Sequence, residues 1–187
     1  SDYFCNSKLF VNASMIKWNI TQSQAKLRSL LIVTHCGING NDFSSVTAQN
    51  NNEVVSINNS PFTSGECMRG CSYTNLNVKI GTSMHYESNV DYTYDLFKSE
   101  ILSSKSINGG LVNGVMSGLI SQNDFESGVF NYVYIDLSRK EQSVDDVAKS
   151  VIFEAKNNSK VKNLQLYAFV EYERQLVIDP EDGTIVA

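Results

Sequence analysis

His35-Cys36, the Cys67-Met-Arg-Gly-Cys71 pair and His85 are the residues of this chain whose types can ligate zinc. A Cys-x3-Cys spacing lets two thiolates reach one ion, but a structural zinc site brings two tight ligand pairs. Here the other ligands are isolated, and Cys36 closes an apolar run. The four cysteines are therefore expected as thiols, or with Cys67 and Cys71 bridged, rather than as a metal cage. Cysteine-nucleophile chemistry needs a thiol, an imidazole base and an orienting group meeting in space. His35 and Cys36 are neighbours on one strand and point to opposite faces, which leaves His85 to serve as base for any thiol. No Gly-x-Ser-x-Gly elbow and no glycine loop ending in Lys-Ser or Lys-Thr occurs in the sequence.

Two carboxylate pairs have spacings compatible with acid/base work: Asp124 with Glu126, and Glu171 with Glu173. Glu171 and Glu173 fall on the polar parity of a strand, so a solvated face with basic partners is the expectation for them. Asp124, Glu126 and Asp136 can bind calcium in principle, but their spacing matches no dedicated loop. Tyr132, Tyr134, Tyr167 and Phe169 offer rings for a sugar platform, or for packing against a helix or a neighbouring subunit; packing is expected. The sequons at Asn12, Asn19, Asn58 and Asn157 are of the kind that an Asn- and Ser-rich chain produces by chance. No catalytic, cofactor-binding or metal residues are assigned from the sequence, and no cofactor or enzymatic activity is expected.

The elements that would position such groups are mostly strands. In the last third, Phe130–Ser138, Lys149–Ala155 and Asn163–Asp179 read as three strands with short polar breaks. In the third of these, Leu164, Leu166, Ala168, Val170, Tyr172, Leu176 and Ile178 share one parity, broken only by Arg174, which is the period of a strand with one face in a core. Earlier, Phe10–Ile20 alternates through Ile16, Trp18 and Ile20. Thr21–Lys26 reads as a polar break, and Leu27–Cys36 contains a Leu30-Leu-Ile-Val33 run suited to burial on both faces. Residues 37–60 are rich in Asn, Ser, Gly and Asp, a long loop with at most a short strand at Val54–Ile57. Leu76, Val78 and Ile80 mark another strand.

Val90, Tyr94, Phe97 and Ile101 fall at i, i+4, i+7 and i+11, the spacing of one helix face. Asn89 or Asp91 is the expected cap, and Asn108-Gly-Gly110 the expected stop. Leu111–Phe125, with Gly114 and Gly118, reads as irregular, and Asp145-Asp146 as the start of a short turn of helix.

With 187 residues and 42% hydrophobic content the chain has the size and apolar share of one all-β domain with a real core. A formal net charge of −5 without a basic stripe argues against direct nucleic-acid binding. No apolar stretch is long enough to span a membrane, and no signal peptide is visible. The two prolines, Pro61 and Pro180, build no rigid linker.

The blocks Asp91-Tyr-Thr-Tyr-Asp-Leu-Phe97, Asn108–Glu126 and Tyr134-Ile-Asp-Leu-Ser-Arg139, with the ending Leu166–Asp179, carry a family resemblance. Over roughly Leu76–Val186 the chain resembles the C-terminal half of viral major capsid proteins of the double jelly-roll lineage, nearest to Polinton-like and adintovirus-like members and distantly to adenovirus hexon. The resemblance rests on pattern and short non-catalytic motifs; residues 1–75 lie outside it. It implies a mainly β fold, a jelly-roll β-sandwich of two antiparallel sheets with one helix inserted before the last three strands. The domain is expected to span residues 1–187, either as a single jelly-roll subunit or as the C-terminal half of a longer capsid protein. The implied function is a virion coat subunit that self-associates, as trimers, into an icosahedral shell assembled inside the host cell, with itself and other capsid proteins as partners. The rival expectations are a receptor- or carbohydrate-binding jelly roll, and a cupin-like metal enzyme, for which two histidines are a thin ligand supply.

Overall fold

The computed structural model describes residues 1–36, 73–104, 121–126, 132–140, 147–158, 164–174, 177–178 and 185–186. The chain forms strands β1 (Asp2–Phe10), β2 (Met15–Gln24), β3 (Leu27–Cys36), β4 (Tyr73–Ile80) and β5 (Ser83–Met84). Helices α1 (Tyr94–Ser103) and α2 (Gln122–Glu126) follow, and then β6 (Val133–Asp136), β7 (Lys149–Asn157) and β8 (Leu164–Tyr172). Two short strands, β9 (Val177–Ile178) and β10 (Ile185–Val186), pair with each other.

The strands pair antiparallel into two four-stranded sheets, ordered β1-β8-β3-β6 and β2-β7-β4-β5. Almost every successive strand changes sheet, so the chain winds between the layers. This double Greek-key order is that of a jelly-roll sandwich, and the fold class expected from the sequence is the one observed, with α1 ahead of β6, β7 and β8.

Alternation dictates the core. Ile16, Trp18 and Ile20 of β2, Val78 and Ile80 of β4, and Val151, Phe153 and Ala155 of β7 are buried from one sheet. Leu30 and Ile32 of β3, Val133 and Ile135 of β6, and Leu164, Leu166, Ala168 and Val170 of β8 are buried from the other. Trp18 and Val78 flank Phe153 in register, one inward row of the first of these sheets. The Thr34 hydroxyl meets the Tyr73 hydroxyl at 2.7 Å, tying β3 to β4 across the layers.

Several element boundaries differ from the sequence reading, each for a local reason. The first strand is not one run through Phe10: β1 ends there, and the turn to β2 passes through Asn12, whose φ of 49° suits asparagine better than most residues. β2 runs on through the supposed polar break to Gln24, because its polar residues still pair with β7 across two register shifts. Asparagine 157 is buried, its side-chain amide donating to the Ala13 carbonyl at 3.0 Å, so that sequon is part of the fold's packing. The final strand is shorter than its alternation suggested: β8 stops at Tyr172, and Val177–Ile178 belongs to the separate β9–β10 pair.

The helix is capped by Thr93, whose side chain accepts from the Leu96 N–H, rather than by Asn89 or Asp91. Val90 lies before the helix and bridges Leu76 of β4, while Phe97 and Ile101 are buried as the helical spacing requires. Asp91 instead accepts from the Asn75 N–H at 3.2 Å. Part of the segment read as irregular forms α2. The strand proposed at Val54–Ile57, the Asn108-Gly-Gly110 stop and the Asp145-Asp146 turn lie outside the described residues.

Candidate functional site

The described side chains with the most unusual environment gather where α1 lies on β6. β6 is an edge strand of its sheet, and an exposed edge offers unpaired backbone groups to any passing strand. Here side chains from α1 and its approach take those groups. The Tyr92 hydroxyl donates to the Tyr134 carbonyl and accepts from the Tyr134 N–H, both at 2.7 Å. The Glu100 carboxylate accepts from the Asp136 N–H at 2.8 Å. Together a phenol and a carboxylate replace the neighbouring strand that β6 lacks.

Glu100 is fully buried, and its other oxygen accepts from the Tyr86 hydroxyl at 3.0 Å. Arg139, in the 3-10 turn Leu137–Arg139 after β6, forms an ion pair with Glu100 and places Nε 3.7 Å from Asp136 Oδ2. Asp136 Oδ1 caps that turn, accepting from the Ser138 N–H at 3.0 Å and the Ser138 hydroxyl at 2.6 Å. Burial by itself would lower the Arg139 pKa, but the bond and charge of Glu100 outweigh it and the net shift is upward. Burial, with Glu100 beside it, pushes the Tyr86 phenol well above its ordinary range.

Tyr86 and His85 come from residues 81–93, the strap that joins β4 to α1 and contains β5. Asn77 of β4 is the template for the strap. Its buried amide donates to the Tyr86 carbonyl and to Asn89 Oδ1, each at 3.1 Å, and its oxygen accepts from the Tyr86 N–H at 3.1 Å. The His85 N–H donates to the Val78 carbonyl at 2.7 Å, and the imidazole lies edge-on to Tyr86 with ring centroids 4.7 Å apart. Among the described residues, Nδ1 of this buried ring has no hydrogen-bond partner. Burial first, and then the charges of Arg139 and Lys140, lower its pKa from 6.5 to about 4.

A third buried carboxylate lies on the same outer face. Glu171 keeps the polar parity read from the sequence, yet it is not solvated: the Ser29 hydroxyl donates to it at 2.9 Å. A register shift on β3 between Leu27 and Ser29 brings that hydroxyl opposite it. Burial raises the pKa of the neighbouring Tyr134, whose hydroxyl meets Ser104 just past the end of α1. Glu173 behaves as expected, exposed and paired with Arg28.

The other sequence candidates are not brought together. His35 lies on β3 opposite Gln165, and its side chain and that of Cys36 are outside the described part, as are Cys67 and Cys71. Cys5 is an exposed free thiol on β1. Asp124 and Glu126 fall on α2, but their side chains are also outside the described part. Among the described residues no three His, Cys, Asp or Glu side chains are placed to share a metal ion.

Of the aromatic platform candidates, Tyr134 is buried and Tyr132 packs edge-on to Phe97 at 5.2 Å. Phe97 also stacks on Phe125 at 5.0 Å. Tyr167 and Phe169 are half-buried on the outer face of β8. The sequence reading did not single out Tyr92, Glu100 or Arg139. One signal was available for Glu100: it lies beside Ile101 and three residues after Phe97, on the face the helix buries.

Comparison with protein-family models, with curated proteins and with solved structures finds no match to this chain. Among the described residues no helix is long and apolar enough to cross a membrane.

Proposed function

We propose that this chain is a structural subunit of a viral capsid, a jelly-roll coat protein or capsomer domain with an architectural rather than catalytic role. In this reading it assembles inside the host cell, as trimers, into an icosahedral shell together with copies of itself and other capsid proteins. The observation that supports it best is the strand order, β1-β8-β3-β6 against β2-β7-β4-β5. That order agrees with the fold implied by the sequence resemblance over Leu76–Val186. The jelly roll is shared by coat proteins, lectins and cupins, so the fold narrows the choice and the resemblance selects within it.

The treatment of the β6 edge also favours assembly through loops. With Tyr92 and Glu100 occupying the backbone groups of Tyr134 and Asp136, this edge has little left to offer an added strand. A binding module is the second reading, on the outward, half-buried Tyr167 and Phe169 of β8.

Native mass spectrometry of the protein from its natural source, with the denatured mass alongside, tests the proposal. Trimers or larger shells are expected, built from chains of 20.8 kDa or of greater mass if this sequence is one jelly roll of two. A monodisperse monomer at high concentration overturns the proposal. Glycan binding lost on Tyr167→Ala and Phe169→Ala would then favour the second reading.

A further inference from the structure

We propose that His85 is an acid-operated latch: protonating its ring releases the middle of the strap, residues 82–89, and with it the grip of Tyr86 on Glu100. The geometry sets the two states apart. The ring is buried, edge-on to Tyr86, with Nδ1 unpartnered among the described residues. The charged groups that act most strongly on it are both cations, Arg139 and Lys140 of that turn. Arg139 is already paired with Glu100 of α1 and lies near Asp136 of β6. On the strap itself the adjacent group is the Tyr86 phenol, and β4 contributes the Val78 carbonyl that receives the His85 backbone N–H. A proton on the ring therefore adds a third positive charge beside two others, in a place with little water to screen it.

The strap is the element suited to yield. β5 has two residues and pairs with β4 at two positions, Lys79 with Met84 and Ile80 with Ser83. The ends of the strap are anchored, by Gly81 to Ser150 of β7 and by Val90, Asp91 and Tyr92 to Leu76, Asn75, Tyr73 and Tyr134. Beyond the β5 pairs, residues 82–89 between them are held by the backbone bond from His85 to Val78, the bonds to the Asn77 amide and the Tyr86–Glu100 bond. Releasing these residues leaves the core rows of β2, β7 and β8 in place. An element with few backbone bonds and a titratable anchor opens at a lower free energy than the whole fold.

Hydrogen exchange of the full chain at pH 7 and pH 5, corrected for the intrinsic rate, reads the latch peptide by peptide. A ring that titrates near 6.5 when released and near 4 when held gives a strap that opens about 20-fold more at pH 5 than at pH 7. The expected result is loss of protection of that size in residues 82–89, with β2 and β7 unchanged. His85→Gln and His85→Phe, the second keeping the apolar packing, should remove the pH dependence, and His35→Gln should keep it. An unchanged strap in the natural protein overturns the proposal, and so does an equal acid response in a His85 variant, which would assign it to the buried carboxylates. If neither variant folds, NMR titration of the natural protein decides: a His85 ring pKa of 6.5 or above overturns the latch, and one well below it supports the latch.

Discussion

Replacing Glu100 by glutamine changes one charged oxygen and almost no volume, so it isolates the electrostatic work of the cluster. The carboxylate is fully buried and accepts from the Asp136 N–H at 2.8 Å and the Tyr86 hydroxyl at 3.0 Å, with Arg139 as its counter-ion. An amide supplies one oxygen and one NH2 group. Facing its NH2 to the Asp136 N–H sets donor against donor; facing it to Tyr86 forces the phenol to turn and accept. The first orientation keeps at best one neutral bond; the second turns two charge-assisted bonds into two neutral ones, a loss of about 1 kcal/mol each. The ion pair adds less than a fully buried one would, because the Arg139 side chain is 42% exposed and water takes over part of its solvation. The sum is about 2–3 kcal/mol. Glu100→Ala should cost about 4 kcal/mol, since it also strands the buried Asp136 N–H. Urea unfolding followed by the single tryptophan, the buried Trp18, reads these values directly. Combining Glu100→Gln with Arg139→Met should give a coupling of about 1 kcal/mol that shrinks with added salt. A Glu100→Gln loss under 0.5 kcal/mol would refute the reasoning, since the carboxylate would then be a tolerated accident of burial.

Phe97 stacks on Phe125 and meets Tyr132 edge-on with no exposure, so Phe97→Ala should cost about 3–5 kcal/mol in the same urea assay; unchanged stability would mean α1 is not packed on β6. Tyr92→Phe removes the hydroxyl that serves both backbone groups of Tyr134, and a loss of about 2–3 kcal/mol is expected, with faster exchange at the Tyr134 amide. Glutamates 171 and 173 should part company: Glu173→Gln stays within about 0.5 kcal/mol because its pair with Arg28 is exposed. Glu171→Ala, which strands the buried Ser29 hydroxyl, should cost about 1–2 kcal/mol by thermal or urea melts.

The sequence by itself determined the core rows and hence the fold class. Strict alternation through Ile16, Trp18 and Ile20 or through Leu164, Leu166, Ala168 and Val170 has one physical solution, a strand with one buried face. The Val90–Ile101 spacing likewise located the helix, and Phe97 and Ile101 are buried where it put them. Alternation says nothing about where pairing stops. That is why β1, with mixed exposure along its length, gives no alternation to read, and why β8 stops short of its apolar pattern: each boundary is set by the partner strand and by turns such as Asn12. Nor does alternation tell which outward face stays wet. Glu171 and Glu173 have the same parity and the same chemistry, but the first is buried and bonded by the Ser29 hydroxyl while the second reaches solvent. Only the tertiary structure decided that Glu100, Asp136, Arg139, Tyr86 and His85, spread over 55 positions from His85 to Arg139, form one cluster. The reason is that an edge strand must find partners for its backbone, and those partners come from whatever side chains the winding of the chain brings alongside.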